Sequence, residues 1–383
     1  MADLFGSDTE SDDDLNVETG GIVIYFSPST SSYLSHYPHL STSVNPTVST
    51  YLSTPLSNDL ALTRSLTVSL THYEILNSPT LTTIINCSNT ILAKGVCVLR
   101  GAADKCLVKS LGDAALKDLE IALENVRMYK NVDVTKGEDC SIGYKELSMR
   151  EDYRCDIRTG PNLSHLHHSI TSLQNDPTVN TIMTLACNST DRGSRASNNL
   201  HLGNYGLHNF NGPGPLGPFL PLKTSTGCVV SLPGCGGQAV HSDTAHVLDE
   251  VHNRPHYINA FYNTSGSSSE GGRVDFEKGQ TAFAVGSHRL EVCKVMTEGG
   301  DVGRRLMERN VVRPHVECGD IVMFDARVLH WGTENRWKGE DENDTEDMNI
   351  KRNEGWRGIF YVNYWREFFQ DPKNWDERES VFD

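Results

Sequence analysis

Short apolar runs, each too brief for a helix and each closed by turn residues, fill the C-terminal half of this chain. They are Tyr257-Ile258-Asn259-Ala260-Phe261-Tyr262, Thr281-Ala282-Phe283-Ala284-Val285, Ile321-Val322-Met323-Phe324 and Gly358-Ile359-Phe360-Tyr361-Val362-Asn363-Tyr364, with a shorter run entering His241. Runs of this length, rich in β-branched and aromatic residues, fit a pleated surface, and their close spacing between Gly, Asn and Asp predicts an antiparallel sandwich or barrel. A further strand is expected at Val96-Cys97-Val98-Leu99-Arg100, between Gly95 and Gly101. A helix then follows, with Asp113 as N-cap and Leu116, Leu119, Leu123 and Val126 on one face. Polar loops are expected around Arg150, Arg154 and Arg158, and a region broken by Gly and Pro over 202–237.

The N-terminal part is organised differently. Residues 1–20 contain the acidic, Ser-rich stretch Ser7 to Asp14, which cannot bury enough apolar surface to offset its ordering entropy and is expected to be a disordered tail. Asp3-Leu4-Phe5-Gly6-Ser7-Asp8 is a candidate docking motif for a protein partner, a solvated tail being the plainer reading. Residues 21–89 read as a Ser/Thr-rich extension of loops and irregular strands, without a steady helical period over 27–85. Residues 90–383 read as one folded domain, interrupted by an exposed acidic insertion at 338–355.

Charge and composition restrict the function classes. A net charge of -16 over 383 residues disfavours binding to a phosphate backbone, so no direct nucleic-acid partner is expected. No stretch approaches the roughly 20 apolar residues of a membrane helix, and the start lacks the basic and apolar segments of a signal peptide. No membrane partner is therefore expected, and the location is read as cytoplasmic, with the nucleus as alternative. The 10 cysteines show no C-x-x-C spacing and read as reduced packing residues.

The candidate chemistry lies in Gly237-Gln238-Ala239-Val240-His241-Ser242-Asp243. His241 and Asp243 are two apart, so in an extended segment their side chains share a face. His330 follows the strand Ile321 to Phe324 and would be carried back to that pair by a barrel. Two neutral imidazoles and one carboxylate, with other positions open, form the facial arrangement of non-haem Fe(II) oxygenases. Each residue alone reads better as a structural histidine or a turn aspartate. Two rival groups, His246/His252/His256 and His165/His167/His168, offer no carboxylate on the same face and read as surface or loop histidines, and His288 as part of a turn.

In their order along the chain, Val240-His241-Ser242-Asp243, then Gly279-Gln280-Thr281-Ala282-Phe283-Ala284-Val285-Gly286-Ser287-His288, then Gly319-Asp320-Ile321-Val322-Met323-Phe324-Asp325 leading to His330 resemble the successive signatures of the phytanoyl-CoA dioxygenase-like family. The resemblance spans about residue 90 to the end. It implies a mainly β fold, a double-stranded β-helix (jelly roll, cupin-like) with flanking helices. It also implies Fe(II) held by His241, Asp243 and His330, with 2-oxoglutarate as co-substrate and O2 as oxidant. The implied reaction releases succinate and CO2 and hydroxylates a small organic or lipid-like substrate. Arg357 matches the arginine that anchors the far carboxylate of 2-oxoglutarate, a role suited to a planar guanidinium. Gln238 and Thr333 match co-substrate contacts.

The acidic insertion separates Arg357 from His330 more widely than in the family, which leaves Arg336 and Arg352 as competitors. Only Arg357 begins an apolar, alternating strand. Tyr262, Phe283 and Trp331 are candidates for a dry pocket or for core packing. Readings from other classes are a catalytically inactive jelly roll that binds in its cavity, a protein side-chain hydroxylase, and a metal-dependent enzyme that does not use 2-oxoglutarate. Substrate-selecting residues are expected within 150–211, around Glu270 and in the insertion.

Overall fold

The computed structural model describes residues 56–130, 143–187, 222–244, 246, 255–264, 276–337, 355–365 and 379–382. The acidic tail, the Ser/Thr-rich stretch to residue 55 and the insertion up to residue 354 lie outside the described residues. The chain opens with α1 (Leu56–Leu66), β1 (Thr67–Ser69), α2 (His72–Leu76), α3 (Leu81–Lys94), β2 (Val96–Arg100) and α4 (Lys105–Lys130). A hairpin of β3 (Leu147–Glu151) and β4 (Arg154–Ile157) leads to α5 (Pro161–His165), α6 (His167–Gln174) and α7 (Pro177–Cys187). Then come β5 (Lys223–Ser231), β6 (Tyr257–Asn263), β7 (Thr281–Ala284), α8 (Leu290–Glu298) and α9 (Gly300–Asn310). The last strands are β8 (Val311–Val312), β9 (Ile321–Asp325), β10 (His330–Gly332) and β11 (Arg357–Trp365).

Eight strands form one mixed sheet in the order β1-β2-β9-β6-β11-β5-β4-β3, and β10-β7-β8 form a second. The antiparallel pairings nest. β5 pairs with β11, the His241 segment with β10 through a single bridge, β6 with β9, and β7 with β8. This nesting is what returns His330 to His241 across a long stretch of sequence.

Alternation along the central strands separates two environments. Ile258, Ala260 and Tyr262 of β6, Phe360, Val362 and Tyr364 of β11, and Cys228 and Val230 of β5 enter the main core, together with residues of α3, α4 and α7. Full burial of each large apolar side chain there contributes roughly 1.5–3 kcal/mol. The intervening residues Asn259, Phe261, Ile359, Tyr361 and Asn363 face the other way and line a cavity. Between the sheets, Phe283 packs on Phe324 with ring centroids 5.0 Å apart, and the second sheet's far side meets α8 through Ala284, Cys293 and Met296.

Several expectations change. α4 begins at Lys105, where the Asp104 carboxylate accepts from the backbone of Cys106 and Leu107 at 2.8 and 3.2 Å. Asp113 sits mid-helix, paired with Lys109 at 2.7 Å. The buried stripe runs back through Ala115, Leu111 and Val108, so the early turns do not show in the leucine spacing from which the helix is read.

Residues from Leu56 on are helices and a strand rather than loops. Thr71 and Thr80 cap α2 and α3, and the buried Glu74 carboxylate accepts from both hydroxyls. A domain boundary at residue 90 would cut α3, whose Cys87 and Ile91 belong to the main core. Arg150 and Arg154 lie in the β3–β4 hairpin region, and β5 lies within the stretch read as broken by Gly and Pro. Helices claim more of the described residues than strands do, so a mainly β fold gives way to a large mixed sheet with helices against it. None of the nine described cysteines is in a disulfide. No helix among the described residues is long and apolar enough to cross a membrane.

Candidate functional site

His241 and His330 face one another across the bridge, exchanging backbone hydrogen bonds of 3.0 and 2.8 Å. The Nδ1 of His241 lies 2.8 Å from the Ala239 carbonyl, and that of His330 lies 2.9 Å from the Val328 carbonyl. A carbonyl oxygen only accepts, so each Nδ1 is the donor, which leaves Nε2 as the ring atom turned toward the other two residues and able to ligate in the neutral tautomer. Asp243 is fixed from two directions. Its backbone N–H donates to Ala326 just after β9 at 2.8 Å, and its Oδ2 accepts from Asn259 Nδ2 at 2.6 Å. His330 Nε2 lies 3.6 Å from Asp243 Oδ2, and one ligand atom from each of the three residues lies within 4.8 Å of the others. Among the described residues this is the one such cluster of His, Cys, Asp and Glu. Phe283 and Phe324 wall the His330 ring at centroid distances of 5.9 and 4.9 Å. The buried Ser287 accepts from the backbone of Leu329 at 2.8 Å, which holds the approach to His330.

The three residues line a cavity of about 150 Å³ whose floor is the inward face of the large sheet. Arg357, first residue of β11, lies in the same cavity and is 9% exposed. Its Nη2 donates to the Thr281 hydroxyl at 2.8 Å, and no carboxylate among the described residues pairs with it. Burial, together with the positive charge of nearby Arg154, pulls its guanidinium well below the ordinary arginine range. A buried cation without a counter-ion is costly, and an entering carboxylate would offset that cost.

Not every candidate residue reaches the cavity. Gln238 lines it and also accepts from the Gly332 backbone at 3.0 Å. Thr333 is turned away, its hydroxyl accepting from Gln280 N at 2.7 Å and donating to Gln280 O at 3.1 Å. Arg336 is mostly exposed and paired with Glu334, while Arg352 lies outside the described residues. Tyr262 and Phe283 are core residues and Trp331 packs on the cluster under α8, so the aromatic lining comes instead from Tyr257, Phe261 and Tyr361. Phe261 and Tyr262 differ by one position, which in a strand is the difference between the two faces.

Among the described residues, the rival histidines do not gather around a carboxylate. His256 is 2% exposed, and burial, reinforced by the charge of Arg327, lowers it to about 3. His252 lies outside the described residues. Asn259, Thr281 and the cavity arginines Arg150, Arg154 and Arg158 are site residues without a signature in the sequence, since their placement depends on cross-strand register.

No protein-family model and no curated protein matches the chain. Among solved structures it is similar to AviO1 from Streptomyces viridochromogenes Tue57, at 14% identity over 76% of this chain and 99% of that one, with a TM-score of 0.40. It is similar to SnoK, a non-heme alpha ketoglutarate dependent carbocyclase from nogalamycin biosynthesis, at 17% identity over 75% and 88% of the two chains, with a TM-score of 0.40. It is also similar to HygX from Streptomyces hygroscopicus, a structure with nickel, 2-oxoglutarate and hygromycin B bound, at 13% identity over 74% and 87%, with a TM-score of 0.35.

Proposed function

We propose that this chain is an Fe(II)- and 2-oxoglutarate-dependent oxygenase that hydroxylates a small organic substrate on a jelly-roll frame. The frame reading is supported by the nested pairing of first strand with last, second with seventh, third with sixth and fourth with fifth, counting from β5. One observation carries the function: three metal-type ligands converge in a cavity that also holds a buried arginine lacking a carboxylate partner among the described residues.

The donor set fits a divalent iron. Two imidazoles through their Nε2 atoms and one carboxylate would hold the ion, and Asn259 keeps Asp243 oriented. When bound with 2-oxoglutarate and O2, iron supplies the oxidising power to place one oxygen on a C–H bond, with succinate and CO2 released. The Arg357 guanidinium, set by Thr281, would bind the far carboxylate of 2-oxoglutarate. Phe261, Ile359 and Tyr361 line the cavity floor and would limit water there.

The test is succinate release from 2-oxoglutarate by the iron-loaded chain in air, with an oxygen-free control. Succinate above the control is expected for the wild type, and background only for Asp243→Ala. Full turnover in Asp243→Ala, or no oxygen-dependent succinate at all, contradicts the assignment.

A further inference from the structure

One ring on the cavity floor lies down where the others stand. Tyr361 of β11 pairs with Gly227 of β5 on one side and with Phe261 of β6 on the other. Its hydroxyl donates to the Asp156 carboxylate of β4 at 2.9 Å. The strand order β11-β5-β4 puts that carboxylate two strands away, about 10 Å at the usual strand spacing. A tyrosine standing off the sheet would carry its hydroxyl away from β4, so this reach requires the side chain to lie along the sheet, across β5.

Gly227 makes room for it. A Cβ at that position would stand 2.5 Å from the ring Cζ and 3.0 Å from Cε1, so any other residue would lift the ring. One face of Tyr361 therefore rests on the glycine, and the opposite face is turned to the cavity that Tyr361 lines. The hydroxyl is held firmly, because Asp156 is fully buried and is itself paired with Arg150 Nη2 at 2.6 Å. Burial, reinforced by the Asp156 charge, keeps the phenol protonated well above its ordinary range, so this anchor persists across neutral pH. Shielding a glycine accounts for a ring over β5. It does not account for a buried carboxylate and a cavity arginine fixing the hydroxyl, nor for a clear ring face in the cavity of the three metal-type ligands.

The platform is also well placed. Asn259, which holds Asp243 at 2.6 Å, is two residues before Phe261 on the same face of β6, about 7 Å along the strand. From this row the Tyr361 ring extends toward β5 and β4, away from the β6 side where Asp243 is held, and Arg357 is four residues back along β11. A molecule lying flat on Tyr361 would sit beside the three ligands and leave the Arg357 end clear. Phe261, edge-on to Phe324 at a centroid distance of 4.8 Å, closes the β6 side.

We propose that the substrate carries a flat, unsaturated ring that stacks on the cavity face of Tyr361, which makes Tyr361 a specificity-determining residue. Calling the stacked molecule a substrate rests on the oxygenase reading, whereas the stacking site rests on the geometry of β11, β5 and β4 alone.

Proton NMR titration of the full chain, loaded with redox-inactive, diamagnetic Zn(II) and saturating 2-oxoglutarate, tests this with benzyl alcohol and cyclohexylmethanol. The two share a hydroxymethyl group and differ in whether the six-membered ring is flat. A merely apolar cavity binds the saturated ring at least as well, since that ring carries more hydrophobic surface. Stacking is expected to make benzyl alcohol bind about two- to tenfold tighter, with its ring protons moved upfield by the Tyr361 ring current. In Tyr361→Leu the preference should disappear, and Tyr361→Phe, which keeps the ring, should retain most of it. Equal or weaker binding of benzyl alcohol by the wild type overturns the proposal whether or not the variants fold, and so does an unchanged preference in Tyr361→Leu. Should Zn(II) and 2-oxoglutarate fail to bind while the preference persists in the unloaded chain, the oxygenase reading falls and the stacking site stands. Should both bind without any preference, the stacking site falls and the oxygenase reading stands.

Discussion

Arg357 has a hydroxyl where a buried cation would ordinarily have a carboxylate, and this governs its expected behaviour. In Arg357→Met the apparent KM for 2-oxoglutarate should rise about ten- to a hundredfold, since a charge-assisted hydrogen bond contributes roughly 1.5–3 kcal/mol. Metal affinity should stay unchanged, and the free chain should melt no lower than the wild type, because the substitution removes a buried charge that no described carboxylate pairs with. Steady-state kinetics and a thermal melt check both, and an unchanged KM would remove Arg357 from co-substrate binding. That His241, Asp243 and Arg357 line one cavity agrees with the period-two spacing and the apolar strand from which their direction was read. Asn259 and Thr281 were not legible in the sequence. Asn259 orients Asp243 from β6 and Thr281 sets Arg357 from β7, and neither partnership can be read without the register between strands.

At the scale of elements, β6 shows how one strand serves core and cavity together. His256, at its entrance, is held neutral by burial, with a folded value of about 3 against 6.5. Between those values the unfolded chain binds a proton that the folded chain does not, so stability is intact above 6.5 and declines as pH falls toward 3. From pH 6.5 to 5 the loss from this group should reach about 2 kcal/mol. Urea unfolding at pH 7 and pH 5 should show a smaller loss in His256→Gln than in the wild type, and equal losses would contradict the assignment. The strands β2, β6, β7, β9 and β11 were legible as apolar runs. β5 was not, because its first half, Lys223-Thr224-Ser225-Thr226-Gly227, carries the polar lining and the glycine beneath Tyr361. The capping threonines of α2 and α3 made those helices resemble loop sequence.

Across the whole molecule, the large sheet is completed by residues that the sequence assigns to an extension. β1 pairs in parallel with β2, and the fully buried Leu66 packs with Val96, Val98 and Phe324. A chain beginning at residue 90 loses β1, Leu66 and most of α3. It should show no cooperative thermal transition near that of the full chain, and a matching melt by circular dichroism would contradict this account of the fold. The nested pairing of distant strands is what carries His330 back to His241, as expected from a barrel. Diffraction from crystals grown without oxygen in Fe(II) and 2-oxoglutarate tests the central claim most directly. The account predicts iron anomalous signal between the Nε2 atoms of His241 and His330 and the Asp243 carboxylate, with the far carboxylate of 2-oxoglutarate on Arg357. Iron bound elsewhere, or 2-oxoglutarate away from Arg357, would contradict it.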